Sequence, residues 1–131
     1  MSADKNPPKL KKRSRVGELS NDIEKHPDFI KIEKFAFEKF GLAAMSHRHG
    51  VFGMQQPLPP IVKYGLTFLF VQSEFGLCCP LSMTDSLTRT LTKFGDKKLI
   101  EKFFDQLTSQ DLDHLFQGAM FMTEQHAGSD L

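Results

Sequence analysis

The sequence predicts an all-α fold, an orthogonal or up-down bundle of four to five helices with a short strand-like tail at its carboxyl end. Three observations predict it. Apolar residues recur every three or four positions over most of residues 27–107, as one face of an α-helix requires. Pro27 and Pro60 stand where two of these stretches begin, and proline suits the first helical turn. The 131 residues are enough for one globular core but not for two.

Residues 1–25 precede the helical pattern and are predicted to be a basic, partly disordered arm. Apolar side chains are few and scattered there, and Pro7 and Pro8 disfavour a regular element. Five cations follow the prolines: Lys9, Lys11, Lys12, Arg13 and Arg15. A basic run of this kind can touch phosphates, so a weak contact with nucleic acid is one hypothesis, and a solvated tail is the alternative.

The first two helices are predicted from the apolar spacing. The first begins at Pro27 and ends near His47, and its buried face would comprise Phe29, Ile32, Ala36, Phe40, Ala43 and His47. The second runs from Pro60 to Phe75, with Gly76 capping its end. Because the second helix is hydrophobic on all sides, we expect it to be the central helix of the bundle.

Two further helices complete the bundle. The third is predicted from Ser82 or Thr84 to Gly95, and its threonine content makes it the weaker helix former. Asp96 suits the N-cap of a fourth helix over residues 97–107. The apolar side chains of that fourth helix are expected to pack inward.

The end of the sequence has a different pattern. Residues 115–123 form a short apolar run that is compatible with a buried strand and is followed by turn-forming residues. A single strand is not stable alone, so it either lies across the helices or pairs with strands outside this sequence. The predicted boundaries are therefore a helical domain over residues 26–115 and the start of a truncated β domain over residues 116–131.

Composition and motifs exclude several classes of function. A net charge of +1 gives no overall attraction to nucleic acid or acidic membranes. Cys78 and Cys79 are adjacent, so they are expected to be reduced thiols in a cytoplasmic protein. No apolar stretch approaches the ~20 residues of a membrane span. The five histidines lack a compact metal-ligand spacing, and no phosphate-binding or nucleophile motif occurs, so neither a metal site nor a catalytic residue is predicted.

Residues 122–130 combine the groups that a planar ligand requires. The hydroxyls of Thr123 and Ser129 and the main-chain N–H groups of a glycine-serine turn suit the carbonyl edge of a heterocycle or a thioester-bearing ligand. An ordinary strand-to-loop turn is the alternative interpretation.

Residues 122–130, MTEQHAGSD, resemble the signature of the acyl-CoA dehydrogenase family, where this segment closes a helical N-terminal domain and opens a β-barrel domain. Residues 94–99, FGDKKL, resemble a helix that the family carries shortly before the signature. Residues 79–84, 6–8 and 26–27 further resemble the alkylation-response (AidB-like) branch. The Gln125-His126 pair, which replaces the proline-containing turn of ordinary members, also fits that branch.

This resemblance implies an FAD-dependent enzyme that catalyses α,β-dehydrogenation of an acyl-CoA thioester. It implies a first flavin-binding segment whose residues are Met120, Phe121, Met122, Thr123, Gly128 and Ser129. Thr123 would hydrogen-bond to the isoalloxazine edge, and Ser129 would bridge the flavin and an acyl-CoA-type ligand. The catalytic glutamate and the adenine contacts of FAD would lie beyond Leu131.

We therefore expect the chain to be an N-terminal fragment that is inactive by itself, that need not retain FAD, and that forms homo-oligomers. The sequence before Asn6 also looks internal when compared with the alkylation-response branch. Two other functions stay open. One is an autonomous helical interaction or oligomerisation module, and the other is a DNA-associated alkylation-response protein that uses its basic arm.

Overall fold

The computed structural model describes residues 2–123 and 125–126. It is mostly helical, as predicted, and it adds an antiparallel hairpin near the amino end. The elements in chain order are α1 (Ser2–Lys5), β1 (Lys9–Arg13), β2 (Leu19–Glu24), α2 (Pro27–Lys34), a π-helical turn (Phe35–Lys39), a 3-10 turn (Val51–Gly53), α3 (Pro60–Val71), α4 (Cys78–Phe94) and α5 (Lys97–Leu107).

Strands β1 and β2 and the short helix α1 occupy the region that the sequence predicted to be a partly disordered arm. Leu10 is paired with Ile23 across the two strands, and Gly17 has a φ of +86° in the connecting turn. A glycine adopts that angle without the steric cost that a side chain would bring. The sequence interpretation counted the cations but overlooked this turn and the apolar pair of Leu10 and Ile23 on its two sides.

The first predicted helix is shorter than its apolar spacing suggested. Helix α2 ends at Lys34, the π-helical turn follows, and the chain then bends at Gly41, whose φ is +56°. Residues 42–45 are nevertheless buried, together with Ala36 and Phe37. Of the predicted buried face, Ala36 and Ala43 are buried, but Phe40 is 38% exposed because it lies at the end of the π-helical turn, where the chain leaves the helix. The spacing also placed Ala43 and His47 in a helix that the chain leaves at Gly41.

Helix α3 begins at Pro60 as predicted but ends at Val71, before Phe75. The expectation that it is the central helix is wrong. Lys63 is its only buried residue, whereas Ile61 and Phe68 are 76% and 69% exposed. Gly76 does not cap the helix but lies in the loop that follows, where its N–H donates to Oε1 of Glu74 at 2.7 Å.

Helices α4 and α5 contact each other on either side of the predicted Gly95 junction. Helix α4 begins at Cys78, earlier than predicted, because Pro80 falls in its first turn, where N–H groups have no helical acceptor. Helix α5 has the predicted bounds. The Asp96 carboxylate accepts the Leu99 N–H at 2.9 Å and caps it as expected.

The core lies where the turn-rich segment after α2 meets the start of α4. Its buried members include Ala36, Phe37, Leu42, Met45, Val51, Leu77 and Leu81. Within the described part of the chain, residues 116–123 form no strand, so the strand-like tail is not observed. No partner strand lies beside this segment among those residues. None of the described helices is long and apolar enough to cross a membrane.

Candidate functional site

Residues 116–123, here called the tail segment, lead from the helical body into the predicted flavin-binding signature. Two hydrogen bonds donated by main-chain N–H groups hold its first part. The Phe116 N–H donates to the Gln106 carbonyl of α5 at 3.1 Å, and the Gly118 N–H donates to Oγ1 of Thr84 in α4 at 3.0 Å. The Phe116 ring also packs near that of Phe103, with 6.5 Å between centroids. The segment therefore crosses from α5 to α4 as it leaves the body.

Gly118 lies tightly against the backbone of α4 at Met83 and Thr84. It is buried, and a Cβ atom added to it would lie 2.4 Å from the Met83 carbonyl oxygen and 3.0 Å from Cα of Thr84. Contacts that short are sterically excluded unless the backbone moves. Thus only glycine fits at this position.

Beyond Gly118 the tail segment leaves the protein surface. Met120, Phe121 and Met122 are 59%, 94% and 56% exposed, and Thr123 is exposed beside them. Gly128 and Ser129 lie outside the described residues. The four predicted cofactor-contacting residues that the structure describes are thus consecutive, accessible and free to meet a ligand or another part of a protein. Three neighbouring exposed apolar side chains are unusual unless something covers them.

An apolar cleft lies beside the anchored part of the tail segment, between α4 and α5. Its volume is about 350 Å³, and its wall is formed by Leu87, Leu91, Leu99, Phe103, Leu107, Phe116 and Gln117. The cleft opens next to the point where the segment is attached. The tail segment and the cleft together give this side of the helix pair an accessible apolar surface.

Sequence reasoning did not find a buried ionic cluster formed by His47, Lys63 and Asp85. Oδ2 of Asp85 is 2.5 Å from Nζ of Lys63, and Oδ1 is 2.8 Å from Nε2 of His47. Burial of the carboxyl group opposes its ionisation, but the hydrogen bonds and charges of His47 and Lys63 outweigh that effect. As a result the pKa of Asp85 is lowered from its ordinary value.

The cluster joins three parts of the chain that are far apart in sequence, which is why spacing could not reveal it. Its one visible signal is Lys63, the only charged residue in an otherwise apolar helix. A buried lysine has to be paired, so a lone charge in such a helix indicates that a carboxylate lies on a neighbouring element.

The basic residues of the hairpin are partly neutralised by their own sheet. Nζ of Lys11 is 3.1 Å from Oε2 of Glu24, and Lys11 is also the cross-strand partner of Asp22. Three carboxylates, those of Glu18, Asp22 and Glu24, thus accompany the five cations of residues 9–15. The local positive excess is smaller than the sequence of β1 alone indicates.

The remaining candidate groups do not assemble into a reactive site within the described residues. Cys78 and Cys79 are free thiols, and burial raises the pKa of Cys78, which disfavours the thiolate that a nucleophile needs. No group of three metal-ligating side chains comes together among these residues.

Comparison with known proteins gives three matches. A sequence profile described as the adaptive response protein AidB N-terminal domain matches residues 1–114. Acyl-CoA dehydrogenase family member 11 of Caenorhabditis elegans is 33% identical over 86 residues, which amount to 60% of this chain and 14% of that protein. The solved structure "Bd2924 apo-form" has a TM-score of 0.77 at 26% identity, over 98% of this chain and 25% of its own. The chain thus spans only a small part of the length of both relatives.

Proposed function

Because this chain belongs to the AidB N-terminal domain family, we propose that it is the helical N-terminal portion of an FAD-dependent acyl-CoA dehydrogenase-like oxidoreductase. In this proposal the chain supplies the first flavin-contacting segment. The observation that carries it is the tail segment, whose end presents Met120, Phe121, Met122 and Thr123 outside the helical body. The relationship to an acyl-CoA dehydrogenase family member supports the choice of cofactor.

The described residues fit a flavin in chemical terms. Exposed apolar side chains can pack on a planar ring, and the Thr123 hydroxyl can donate to or accept from a polar ring edge. When bound, FAD supplies the acceptor for the hydride. The chain's own part is to place the apolar and hydroxyl groups of the tail segment against the ring and to exclude water from that side.

The chain is proposed to catalyse nothing by itself, because the three carboxylates that are buried among the described residues, those of Glu33, Glu74 and Asp85, are each engaged by another group. The Glu74 carboxylate accepts the Gly76 N–H at 2.7 Å. Asp85 is held by Lys63 and His47 and has a lowered pKa, which makes it a weak base. Glu33 is held by Lys25 at 2.7 Å. The base that removes the substrate proton is therefore assigned to a part of the enzyme outside these residues.

A chimeric enzyme tests this function. This chain would replace the aligned part of the Caenorhabditis elegans relative, and flavin absorbance per protein would be measured after desalting. We expect the chimera to retain flavin, and Thr123→Ala to lower the retained fraction several-fold. Thr90→Ala is the matched control, because Thr90 is an exposed threonine on α4, and it should change nothing. A folded chimera without flavin, or equal losses in both variants, would contradict the proposal.

A second candidate function is self-association through α3. Ile61, Tyr64 and Phe68 are exposed at helical spacing, and the only charged residue of α3 is buried. An uncharged apolar face is complementary to its own copy across a two-fold axis, so a second copy of the chain is the proposed partner. Sedimentation should show a dimer that Phe68→Lys dissociates and that Thr90→Lys leaves intact. A monomer at all concentrations would exclude this role.

A further inference from the structure

The contact between Thr84 and Gly118 does more than hold a loop against a helix. We propose that Thr84 and Gly118 form a positioning pair, which sets where the tail segment leaves the helical body and which of its residues are presented beyond it. The inference rests on the proposed function in one respect, namely that the residues so presented are those assigned to the flavin.

The first step of the argument concerns Thr84. Its side chain is fully buried, and its hydroxyl donates to the Pro80 carbonyl at 2.7 Å. Since that bond uses the hydroxyl proton, the oxygen is oriented as an acceptor, and the Gly118 N–H meets it at 3.0 Å. A buried hydroxyl with both a donor and an acceptor partner has one orientation, so the Thr84 oxygen is fixed as the acceptor for the Gly118 N–H.

The second step concerns Gly118. The space against the Met83 carbonyl admits no Cβ atom, and both chain neighbours, Gln117 and Ala119, carry one. A shift of the tail segment by one residue in either direction would place a Cβ atom in that space. The glycine therefore excludes the neighbouring registers.

The third step compares Thr84 with its neighbour on the same face. Thr88 is equally buried and makes the same bond to the helix backbone, with its hydroxyl donating to the Thr84 carbonyl at 2.8 Å. No bond from Thr88 to the tail segment is present among the described residues. Thr88 thus shares the structural role of a buried helix threonine and lacks the contact that defines the positioning pair.

Amide hydrogen exchange on this chain, without flavin, tests the inference. We expect the Gly118 amide to be protected and Thr84→Val to speed its exchange about tenfold, as loss of one buried hydrogen bond predicts. Thr84→Ser should restore the protection, and Thr88→Val should leave it unchanged. The Thr108 amide donates to the Phe104 carbonyl at 3.0 Å at the end of α5. It is the reference amide and should exchange at the same rate in the unmodified chain and in the three threonine variants.

A glycine pair gives an independent comparison. Gly118→Ala should speed exchange at Phe116, whose N–H donates to the Gln106 carbonyl at 3.1 Å, as well as at residue 118, whereas Gly65→Ala should not, because a Cβ atom at Gly65 meets open space. The inference is overturned if the Gly118 amide exchanges freely in the unmodified chain. It is also overturned if Thr84→Val and Thr88→Val have the same effect at this amide.

The chimera separates this inference from the proposed function. If the unmodified chimera holds flavin, Thr84→Val should lower the retained fraction several-fold and Thr84→Ser should not. Equal retention in both variants would show that the pair does not position the flavin contacts, and would overturn the inference while the function stands. If the unmodified chimera holds no flavin, the function fails, and the exchange experiment alone decides whether the pair sets the register.

Discussion

At the scale of single residues, the buried ionic cluster of His47, Lys63 and Asp85 is the most consequential feature that the structure adds. Asp85→Asn removes the negative charge and leaves Lys63 buried without a counter-charge. Breaking one side of a buried pair typically costs about 3–5 kcal/mol, so we expect urea unfolding at neutral pH to show a loss of that size. Replacing the pair by Lys63→Met with Asp85→Leu should recover most of the stability, because no isolated charge is then buried.

An exposed pair provides the control for this prediction. Lys97 and Glu101 lie 3.8 Å apart on the surface of α5, and Glu101→Gln should change the unfolding free energy by less than about 0.5 kcal/mol. If Asp85→Asn were as mild as Glu101→Gln, the cluster would not be a buried ion pair in solution.

The same carboxylate gives the protein a defined pH dependence. The folded-state pKa of Asp85 is lowered, so the unfolded chain binds the proton more tightly than the folded one. The stabilisation is present above the ordinary pKa of an aspartate and is lost as the pH falls through the lowered value. As the pH is lowered, the unfolding free energy of Asp85→Asn should therefore fall less steeply than that of the unmodified chain. Identical slopes would contradict the assigned pKa shift.

Gly41 and Gly65 are two glycines whose replacement should have opposite effects. Gly41 has a φ of +56°, and a Cβ atom there would lie 2.8 Å from Nε2 of Gln110 and 3.1 Å from Cγ1 of Val51. We expect Gly41→Ala to destabilise by roughly 1–3 kcal/mol. Gly65→Ala in the exposed helix α3 should instead stabilise by roughly 0.5–1 kcal/mol. Thermal unfolding monitored by circular dichroism measures both.

At the scale of elements, helix α5 shows what local sequence signals can predict. Asp96 is an N-cap residue that marks where α5 begins, and the apolar spacing identifies the side of the helix that packs inward. The bounds of α5 were therefore predicted in full. Asp96→Ala should cost about 1 kcal/mol, whereas Asp96→Asn should cost only a few tenths because the amide oxygen can still accept the Leu99 N–H. Denaturant midpoints measure the difference, and equal losses would show that the cap contributes through charge alone.

Helix α2 and the hairpin show where local signals fail. The apolar pattern continues past Lys39, but Gly41 takes a left-handed φ angle and the chain turns there. The periodicity therefore predicted buried residues beyond this point without predicting that the helix ends before it. In the hairpin, strand pairing depends on residues on both sides of a turn, such as Leu10 and Ile23. A count of charges along one strand does not contain that information.

At the scale of the whole molecule, the site could be predicted only in part. The signature located the tail segment, and the structure presents its described residues at the surface. Neither the Thr84 attachment, 34 residues away from Gly118, nor the ionic cluster has a local sequence pattern, because both arise from packing. The chain spans 14% and 25% of the two relatives, and its exposed apolar faces on α3 and the tail segment are where we expect further contacts.

The central claim, that the tail segment contacts a flavin, is tested most directly by titrating the chimera, with this chain as its isotope-labelled part, with FAD and recording amide NMR spectra. The account predicts saturable shifts at Met122 and Thr123 that Thr123→Ala weakens, with the resonances of α3 and of the hairpin unchanged. No saturable shift in the tail segment, or shifts confined to the basic hairpin, would contradict it.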